Sequence, residues 1–296
     1  MLKKRVIFTL LYNDGCFALS RNFRLQNVGD ITWLERNYKF SQIAFFIDEL
    51  IILNVSRNNY NEEEFLKHVS ILAKECFIPI AAGGGIRSVE DAFEIFRAGA
   101  DKVAINTEAI NRPEFISEAV KKFGASTIMV EIQTKRQLDG TYIAFTDNGR
   151  NPSCLDSVEW AKQVEQLGAG EILITSIDRD GTGLGFDIDI VKQISESVNI
   201  PVIAGGGAGK IDHIIELTEK TEINGVGLAS VLHYPFVHQL MEKGRQFGKA
   251  SEFSVIQESY SNTRIIGTDV RTVKKILTSH GIECRLDSNE QTFTII

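Results

Sequence analysis

Three features of the sequence predict an α/β fold, a (β/α)8 TIM barrel made of two duplicated half-barrels. Short apolar segments alternate with amphipathic helical segments along most of the chain. The apolar segments are continuous, which is typical of a parallel sheet covered by helices. Ile78–Gly85 recurs as Ile200–Gly207 at an offset of 122 residues, which indicates a duplication. Eight strand–helix units in 296 residues fit a closed barrel, and an open doubly wound sheet is the alternative.

The predicted strands are evenly divided between the two halves. They occupy residues 6–11, 49–54, 78–82, 102–106, 127–133, 171–176, 200–204 and 225–229. Helical spacing of apolar residues lies between them. Ser88 and Asp91 form a capping-box pattern, which predicts that a helix starts directly after the third strand.

The whole chain, 1–296, is predicted to be one barrel, with half-barrels at about 1–122 and 123–233. The final helix is predicted at about 269–281, because apolar residues recur there at helical spacing. The residues between, about 234–268, form an insertion after the eighth strand. A lid and a contact surface are the two roles that we consider for it.

Composition excludes several classes of protein. The chain is 43% hydrophobic and 24% charged with a mean hydropathy of −0.04, which is ordinary for a globular protein. No apolar run approaches the ~20 residues of a membrane span, and no signal peptide is evident, so we expect a cytoplasmic protein without a membrane span. A net charge of −7 disfavours nucleic-acid binding. The four cysteines lie far apart, so we predict no metal site and no cofactor.

Glycine-rich segments end two of the predicted strands. Gly83–Gly85 and Gly205–Gly207 each lie just before a helix, where backbone N–H groups can approach an anion. Asn106 with Thr107, and Ala229 with Ser230, end the strands next to them. The duplication therefore predicts two phosphate sites across the barrel mouth and a small-molecule ligand with a phosphate at each end. The alternative is that these glycines only form tight turns.

Five motifs together resemble the cyclase subunit of imidazole glycerol phosphate synthase. They are Gly83–Ser88, Ala100–Val103 with Ile105–Thr107, Gly168–Leu173, Ser176–Thr182 and Gly205–Gly209. The resemblance covers most of 1–233 and resumes in the last helix. It implies a (β/α)8 barrel that receives ammonia from a separate glutaminase subunit and adds it to a bisphosphorylated ribulosyl substrate. It also implies phosphate or ligand contacts by Gly85, Asn106, Thr107, Asp180, Gly181, Gly207, Ala229 and Ser230.

The sequence departs from this family at the catalytic positions. The family's general acid and base are aspartates at the ends of strands 1 and 5, where this chain has Leu11 and Gln133. Leucine cannot move a proton, and glutamine has no useful pKa. One general acid or base contributes about 10²–10⁴-fold in rate, so cyclisation should be nearly lost unless another group substitutes. Leu19 and Asn54 also replace a family lysine and aspartate.

Glu131 is the candidate substitute for a missing acid. It shares side-chain parity with Gln133, so it should point into the barrel about 6.6 Å deeper, at ~3.3 Å per residue. The alternative is a buried carboxyl bonded to Thr9. No histidine fills the catalytic gap, and we expect His68 to lie at a helix surface.

Charged residues at the opposite end of the barrel match the family. Its ammonia entrance is a ring of charges at the N-terminal face, which corresponds here to Arg5, Glu49, Lys102 and Glu171. Asp101 matches the residue that faces the glutaminase. A role in stability alone is the alternative, since this face of a barrel often serves stability.

The sequence therefore predicts a cyclase-like, ammonia-conducting subunit of a glutamine amidotransferase complex. Its partners would be a glutaminase subunit and a sugar amidotransferase, and the divergent members of the family that it resembles serve amidation of a sugar of a surface polysaccharide such as lipopolysaccharide. One alternative is an authentic cyclase, a lyase, in histidine biosynthesis. The other is a non-catalytic scaffold that stimulates a glutaminase. Whether the chain is itself an enzyme stays open between these alternatives.

Overall fold

Eight parallel strands close into a barrel, as predicted. The structure is a computed structural model, and it describes residues 3–38, 43–57, 61–235 and 264–285. The barrel strands are β1 Arg5–Asn13, β2 Glu49–Asn54, β3 Ile80–Gly83, β4 Lys102–Ile105, β5 Ile128–Arg136, β6 Glu171–Ser176, β7 Val202–Gly205 and β8 Gly225–Leu228. Each strand pairs in parallel with the next, and β8 pairs with β1, so the sheet has no open edge.

Helices cover the outside of the barrel. They are α1 Ile31–Tyr38, α2 Glu62–Glu75, α3 Val89–Arg97, α4 Thr107–Asn111, α5 Glu114–Phe123, α6 Ser157–Gln166, α7 Ile188–Ser197, α8 Ile211–Lys220 and α9 Val270–Ser279, and residues 230–235 are also helical. The capping box predicted for α3 is confirmed, because Asp91 N donates to Ser88 Oγ at 3.1 Å and Ser88 N donates to Asp91 Oδ2 at 3.0 Å. Among the described residues, no helix has the length and apolarity to cross a membrane.

The strands are apolar on both faces because each face packs against a separate core. The larger core lies between the sheet and the helices. The smaller core fills the barrel, where Ile7, Ile51, Ala81, Met129 and Ile203 pack together. All six residues of β2 are buried, which explains its continuous apolar sequence.

Two antiparallel hairpins that we did not predict extend the barrel at the carboxyl ends of β1 and β5. The first hairpin consists of the strands Cys16–Arg21 and Arg24–Gly29, and the second of Tyr142–Thr146 and Asn151–Asp156. Their tips have positive φ at Asn22 and Phe23 in the first hairpin and at 147–149 in the second. A positive φ in phenylalanine is strained, so the tip of the first hairpin is held in place by its surroundings.

Most of the predicted insertion, 234–268, lies outside the described residues, which resume at 264. The chain then leads into α9, where Asp269 Oδ1 caps the helix by accepting from Thr272 N at 3.0 Å. Residues 264–269 rest against the barrel end, where Ile266 N donates to Gly209 O at 2.6 Å. The half-barrel boundaries and the role of the insertion remain predictions.

Candidate functional site

Two adjoining cavities open at the carboxyl ends of the strands. The arginine cavity is lined by Arg57, Arg87 and Arg150 and includes Gly84–Gly85 and Asn106–Thr107. The leucine cavity is lined by Leu11, Leu19 and Leu25 and includes Gly205–Gly207 and Ala229–Ser230. Both cavities share Leu53, Val55, Arg57, Glu131, Gln133 and Asn148. The structure therefore brings every predicted phosphate-site residue to this end of the barrel, with Glu131 and Gln133 at the junction.

The glycines of the two loops are required by their surroundings. Gly84 has φ +101° and Gly207 has φ +111°, values that favour glycine. A Cβ on Gly84 would overlap the Asn54 carbonyl, and one on Gly207 would overlap the Gly185 carbonyl. Tight packing alone thus accounts for these two glycines.

Asn106 and Thr107 fasten the end of β4 to the second hairpin. Asn106 Nδ2 donates to Glu131 O at 3.0 Å and to Phe145 O at 3.1 Å. Thr107 Oγ1 donates to Asn106 Oδ1 at 3.2 Å and accepts from Asp147 N at 3.1 Å. Their side-chain donors are therefore already used, and both residues shape the arginine cavity.

Asp180 and Gly181 hold the first hairpin over the leucine cavity. Asp180 Oδ2 accepts from Phe23 N at 3.1 Å, and Asp180 O accepts from Asn22 N at 2.8 Å. A Cβ on Gly181 would overlap the Ser20 carbonyl, so the hairpin and this loop touch through their backbones. Burial raises the pKa of Asp180, and hydrogen bonds from the Ser20 side chain and the Phe23 amide offset only part of that rise.

Leu11 and Gln133, the two positions to which the resemblance assigns the family's catalytic aspartates, face the cavities without an ionisable group. Leu11 lines the leucine cavity, and Gln133 lines both cavities. Gln133 is 3% exposed, and its Oε1 has no hydrogen-bond partner among the described residues. Asn54, which is 4% exposed and lines the arginine cavity, likewise has an unpartnered Nδ2. One free acceptor and one free donor are thus buried at this site, and unpaired buried polar atoms are rare in proteins.

Glu131 is the titratable group at the junction. It is 7% exposed, and its carboxylate accepts from Gln133 Nε2 at 3.2 Å and from Thr175 Oγ1 at 3.4 Å. Thr9, the partner we considered, lines the leucine cavity, but the carboxylate bonds to these two donors instead. Burial raises the pKa of Glu131 to about 7, although both hydrogen bonds lower it. A carboxyl with this pKa can give or take a proton near neutral pH.

Four charged side chains form a closed ring at the amino-terminal end of the barrel. Glu49 accepts from Arg5 at 2.6 Å and from Lys102 at 2.9 Å. Glu171 accepts from Lys102 at 2.7 Å and also pairs with Arg5. Both carboxylates are buried, whereas the two cations are partly exposed. Each charge therefore touches two opposite charges, which is the arrangement that lets buried ions be tolerated.

The packing around the ring explains how it closes. Burial lowers the pKa of Arg5, but the charges and hydrogen bonds of Glu171 and Glu49 outweigh burial and raise it, so Arg5 stays charged. Gly225 lies beside Arg5 in the sheet register, and its lack of a side chain leaves space next to the Arg5 stem. Asp101 is exposed at the same end and accepts from Ile80 N at 2.8 Å.

Among the described residues, no histidine lines either cavity. His68, expected at a surface, is buried against Tyr12 and Phe17, so that prediction is wrong. His233 is also buried and bonds to Tyr38, and burial lowers its pKa to about 3. Within the described ranges, no three histidine, cysteine or acidic side chains are grouped so that they could hold a metal ion.

Sequence reasoning missed the three arginines and Phe23. Arg57 and Arg150 lie far apart in the sequence, and only closure of the barrel brings them to one cavity. Arg87 follows the first glycine segment, so its position was a signal that could have been used. Phe23 could have been placed at the mouth only if the first hairpin had been predicted, and Asn22, a residue typical of turns, was the signal for that hairpin.

Fold and site together define a class of protein: a (β/α)8 barrel with a small-molecule cavity at one end and a closed ring of ion pairs at the other. Comparison with known proteins gives the family. The family model described as "Histidine biosynthesis protein" matches residues 27–237. The chain therefore belongs to the histidine biosynthesis protein family.

Two relatives are similar over most of their length. The chain is 40% identical over 235 residues to "Imidazole glycerol phosphate synthase subunit HisF" of Streptococcus mutans, covering 79% of this chain and 92% of the relative. It is 42% identical over 234 residues to "Putative imidazole glycerol phosphate synthase subunit hisF2" of Parasynechococcus marenigrum, covering 79% and 87%. The predicted resemblance to the HisF cyclase subunit is thus confirmed.

Proposed function

We propose that this chain is the ammonia-receiving barrel of a glutamine amidotransferase complex, and that its mouth does not run the family's cyclisation. The closed ring of Arg5, Glu49, Lys102 and Glu171 carries the proposal. A protein that had lost every use for ammonia would not need to keep a costly set of buried charges at its base. The two aspartates that cyclisation needs are meanwhile replaced by Leu11 and Gln133.

The ring has one member suited to act as a gate. Lys102 has a flexible stem and is partly exposed, whereas the two carboxylates are fixed by burial. Swinging Lys102 outward breaks two ion pairs and leaves Arg5 between the carboxylates. We infer that a glutaminase docked near Asp101 favours this open arrangement.

The layer above the ring suits neutral ammonia. Ile7, Ile51, Ala81, Met129 and Ile203 form an apolar filling between the ring and the mouth. An ammonium ion would lose its hydration there, whereas neutral ammonia pays a far smaller penalty. Small adjustments of these side chains would let ammonia reach Glu131 and Gln133, which lie beyond them.

The acceptor would be a sugar bound at the mouth. The loss of both family aspartates, with Leu19 in place of a lysine, supports a substrate other than the bisphosphorylated ribulosyl compound. We propose amidation of a surface-polysaccharide sugar in the cytoplasm, with a sugar amidotransferase as a third component. In that complex the barrel delivers ammonia, and activation of the acceptor takes place on the third protein.

A coupling assay tests this function. The chain is mixed with the glutaminase subunit of its own organism, and glutamate formation and ammonia escape to bulk are measured together. We expect the barrel to raise glutaminase turnover by about tenfold or more and to retain most of the ammonia. Lys102→Ala should increase the escaping fraction, and Lys122→Ala, an exposed lysine on α5, is the matched control. Absence of a complex, or identical escape in both variants, would refute the proposal.

An authentic cyclase is the second candidate, because Glu131 lines both cavities and titrates near neutral pH. In that case Glu131 would replace one of the missing aspartates as the proton carrier. The two candidates differ in a direct way: the cyclase turns over its substrate with ammonium salt and no glutaminase. A scaffold that only stimulates the glutaminase would differ from both in the coupling assay, because all the ammonia that the glutaminase forms would escape to bulk.

A further inference from the structure

We propose that the ligand of the mouth carries its negative charge at one end only, as a diphosphate group in the arginine cavity, with an uncharged and partly apolar group in the leucine cavity. This inference rests on the proposed function, since it names the class of acceptor. The two glycine loops are related in sequence, but the side chains around them differ in charge. A ligand with one phosphate at each end would suit symmetric surroundings.

The arginine cavity is lined by three arginines but by one acid, Asp147, that pairs with any of them among the described residues. Among the described residues, neither Arg57 nor Arg87 forms an ion pair, and Arg150 lies 3.7 Å from Asp147. Arg57 makes only long hydrogen bonds, 3.3 Å to Phe23 O and 3.4 Å to Asn148 O. Guanidinium groups bind phosphate oxygens through paired N–H donors, so this cluster suits a doubly charged anion.

The acids of the arginine cavity do not cancel this charge. Glu108 is paired with Arg112 at 3.2 Å, and Glu131 bonds to Gln133 and Thr175. Burial and then the charge of Arg150 lower the pKa of Arg57, whereas Asp147 raises it. The neighbouring cations therefore repel one another, and a bound anion would relieve that repulsion.

Asn54 supplies a buried donor to the same cavity. Its Oδ1 accepts from Ser56 N at 3.0 Å, which fixes the amide so that Nδ2 is the free group. An unpaired buried donor is unfavourable, and a ligand oxygen that accepts from it would remove that cost. The free donor of Asn54 and the three arginines therefore line the same cavity.

The leucine cavity offers the opposite surroundings. Leu11, Leu19, Phe23 and Leu25 line it, and Arg57, at the border with the other cavity, is the cation among its described lining residues. Its acids are Asp180 and Glu131. A phosphate placed there would meet two carboxyl groups without a lysine, because Leu19 stands at the family's lysine position. An uncharged ring or acyl group fits this lining better.

Pyrophosphate titration by calorimetry tests the asymmetry without any partner protein. We expect one equivalent to bind, and Arg57→Ala to weaken binding about tenfold or more, as loss of a charged hydrogen bond implies. Ser230→Ala, at the opposite loop, should change the Kd by less than about twofold. Two equivalents, or equal losses in both variants, would overturn the proposal, as would an unchanged Kd in Arg57→Ala.

Competition between two ligand shapes provides the second arm. A sugar 1-diphosphate, which has a terminal diphosphate and an uncharged sugar, should displace pyrophosphate, and ribulose 1,5-bisphosphate should compete at least about tenfold more weakly. The reverse order would overturn the proposal. Because these assays contain no glutaminase, their failure would leave the ammonia-receiving function standing, and failure of the coupling assay would leave the charge asymmetry standing.

Discussion

Replacing Glu131 with glutamine should stabilise the protein at alkaline pH and leave its stability unchanged near pH 4. Glu131 is buried at the junction of the two cavities, and burial raises its pKa from 4.5 to about 7. A carboxyl whose pKa is raised by folding binds its proton more tightly in the native state. The free energy of unfolding of the wild type is therefore highest, as far as Glu131 is concerned, below about pH 4.5. It falls as the pH rises through about 7.

The size of the effect follows from the shift. A difference of about 2.5 pKa units corresponds to about 3 kcal/mol, at 1.36 kcal/mol per unit. The two hydrogen bonds from Gln133 and Thr175 are already included in that pKa. Glutamine keeps the shape and one acceptor oxygen but never ionises, so Glu131→Gln avoids this penalty. Its free energy of unfolding at about pH 8 should exceed that of the wild type by up to about 3 kcal/mol.

Urea unfolding at several pH values between about 4 and 9 checks this prediction. The difference between Glu131→Gln and the wild type should grow through the window from 4.5 to about 7 and then level off. Glu90→Gln, at an exposed carboxylate on α3, is the control for replacing a glutamate by glutamine. A difference that is constant across the whole range would show that folding leaves the pKa of Glu131 unchanged, and would refute the reasoning.

Three further predictions concern the ring, the hairpin and the mouth. Lys102→Met should lower the free energy of unfolding, measured in urea, by about 3 kcal/mol, because the buried carboxylates of Glu49 and Glu171 are left with Arg5 as their one cation. A change under about 0.5 kcal/mol would contradict this and would mean that water solvates the two carboxylates. Gly181→Ala should destabilise by at least about 2 kcal/mol, since φ is +64° and a Cβ overlaps Ser20 O, and an unchanged thermal midpoint would contradict this. The triple variant Leu11→Asp, Gln133→Asp and Leu19→Lys should raise cyclase turnover about tenfold or more. No gain would mean that restoring the acid, the base and the lysine charge is not enough to restore cyclisation.

The barrel itself was predictable because its strands are buried on both faces. The predicted bounds of β2 and β6 match the structure, since each is a continuous apolar run that opens with the buried glutamate of the ring. The ring of Arg5, Glu49, Lys102 and Glu171 was predicted from the resemblance to the family, and the structure brings these four side chains together. Strands that are continuous apolar runs can therefore be located from the sequence.

The hairpins and the position of His68 were not predicted, although each left a signal. Asp14–Gly15, which follows β1, and Asp147–Gly149, which joins the two strands of the second hairpin, are turn sequences with positive φ. Phe65, His68, Val69 and Leu72 recur at helical spacing, which places His68 on the buried face of α2. Reading the histidine by its polarity instead of its spacing gave the wrong position.

The charge asymmetry of the mouth could not be read from the sequence. Arg57 follows β2, Arg87 precedes α3 and Arg150 lies on the second hairpin, so they come together only through closure of the barrel. The glycine repeat, in contrast, is visible in the sequence and suggested two equivalent sites. The repeat indicates that the two loops share an ancestor, whereas the side chains around each loop determine which ligand group binds there.

A cyclase assay on the purified chain tests the central claim most directly. The bisphosphorylated ribulosyl substrate is supplied with excess ammonium salt at alkaline pH, without glutaminase, so that only the chemistry of the barrel mouth is measured. We expect no turnover above the uncatalysed background, because Leu11 and Gln133 cannot act as acid and base. Turnover at an ordinary enzyme rate, ~1–10 s⁻¹, would contradict it and would make the chain a working cyclase of histidine biosynthesis.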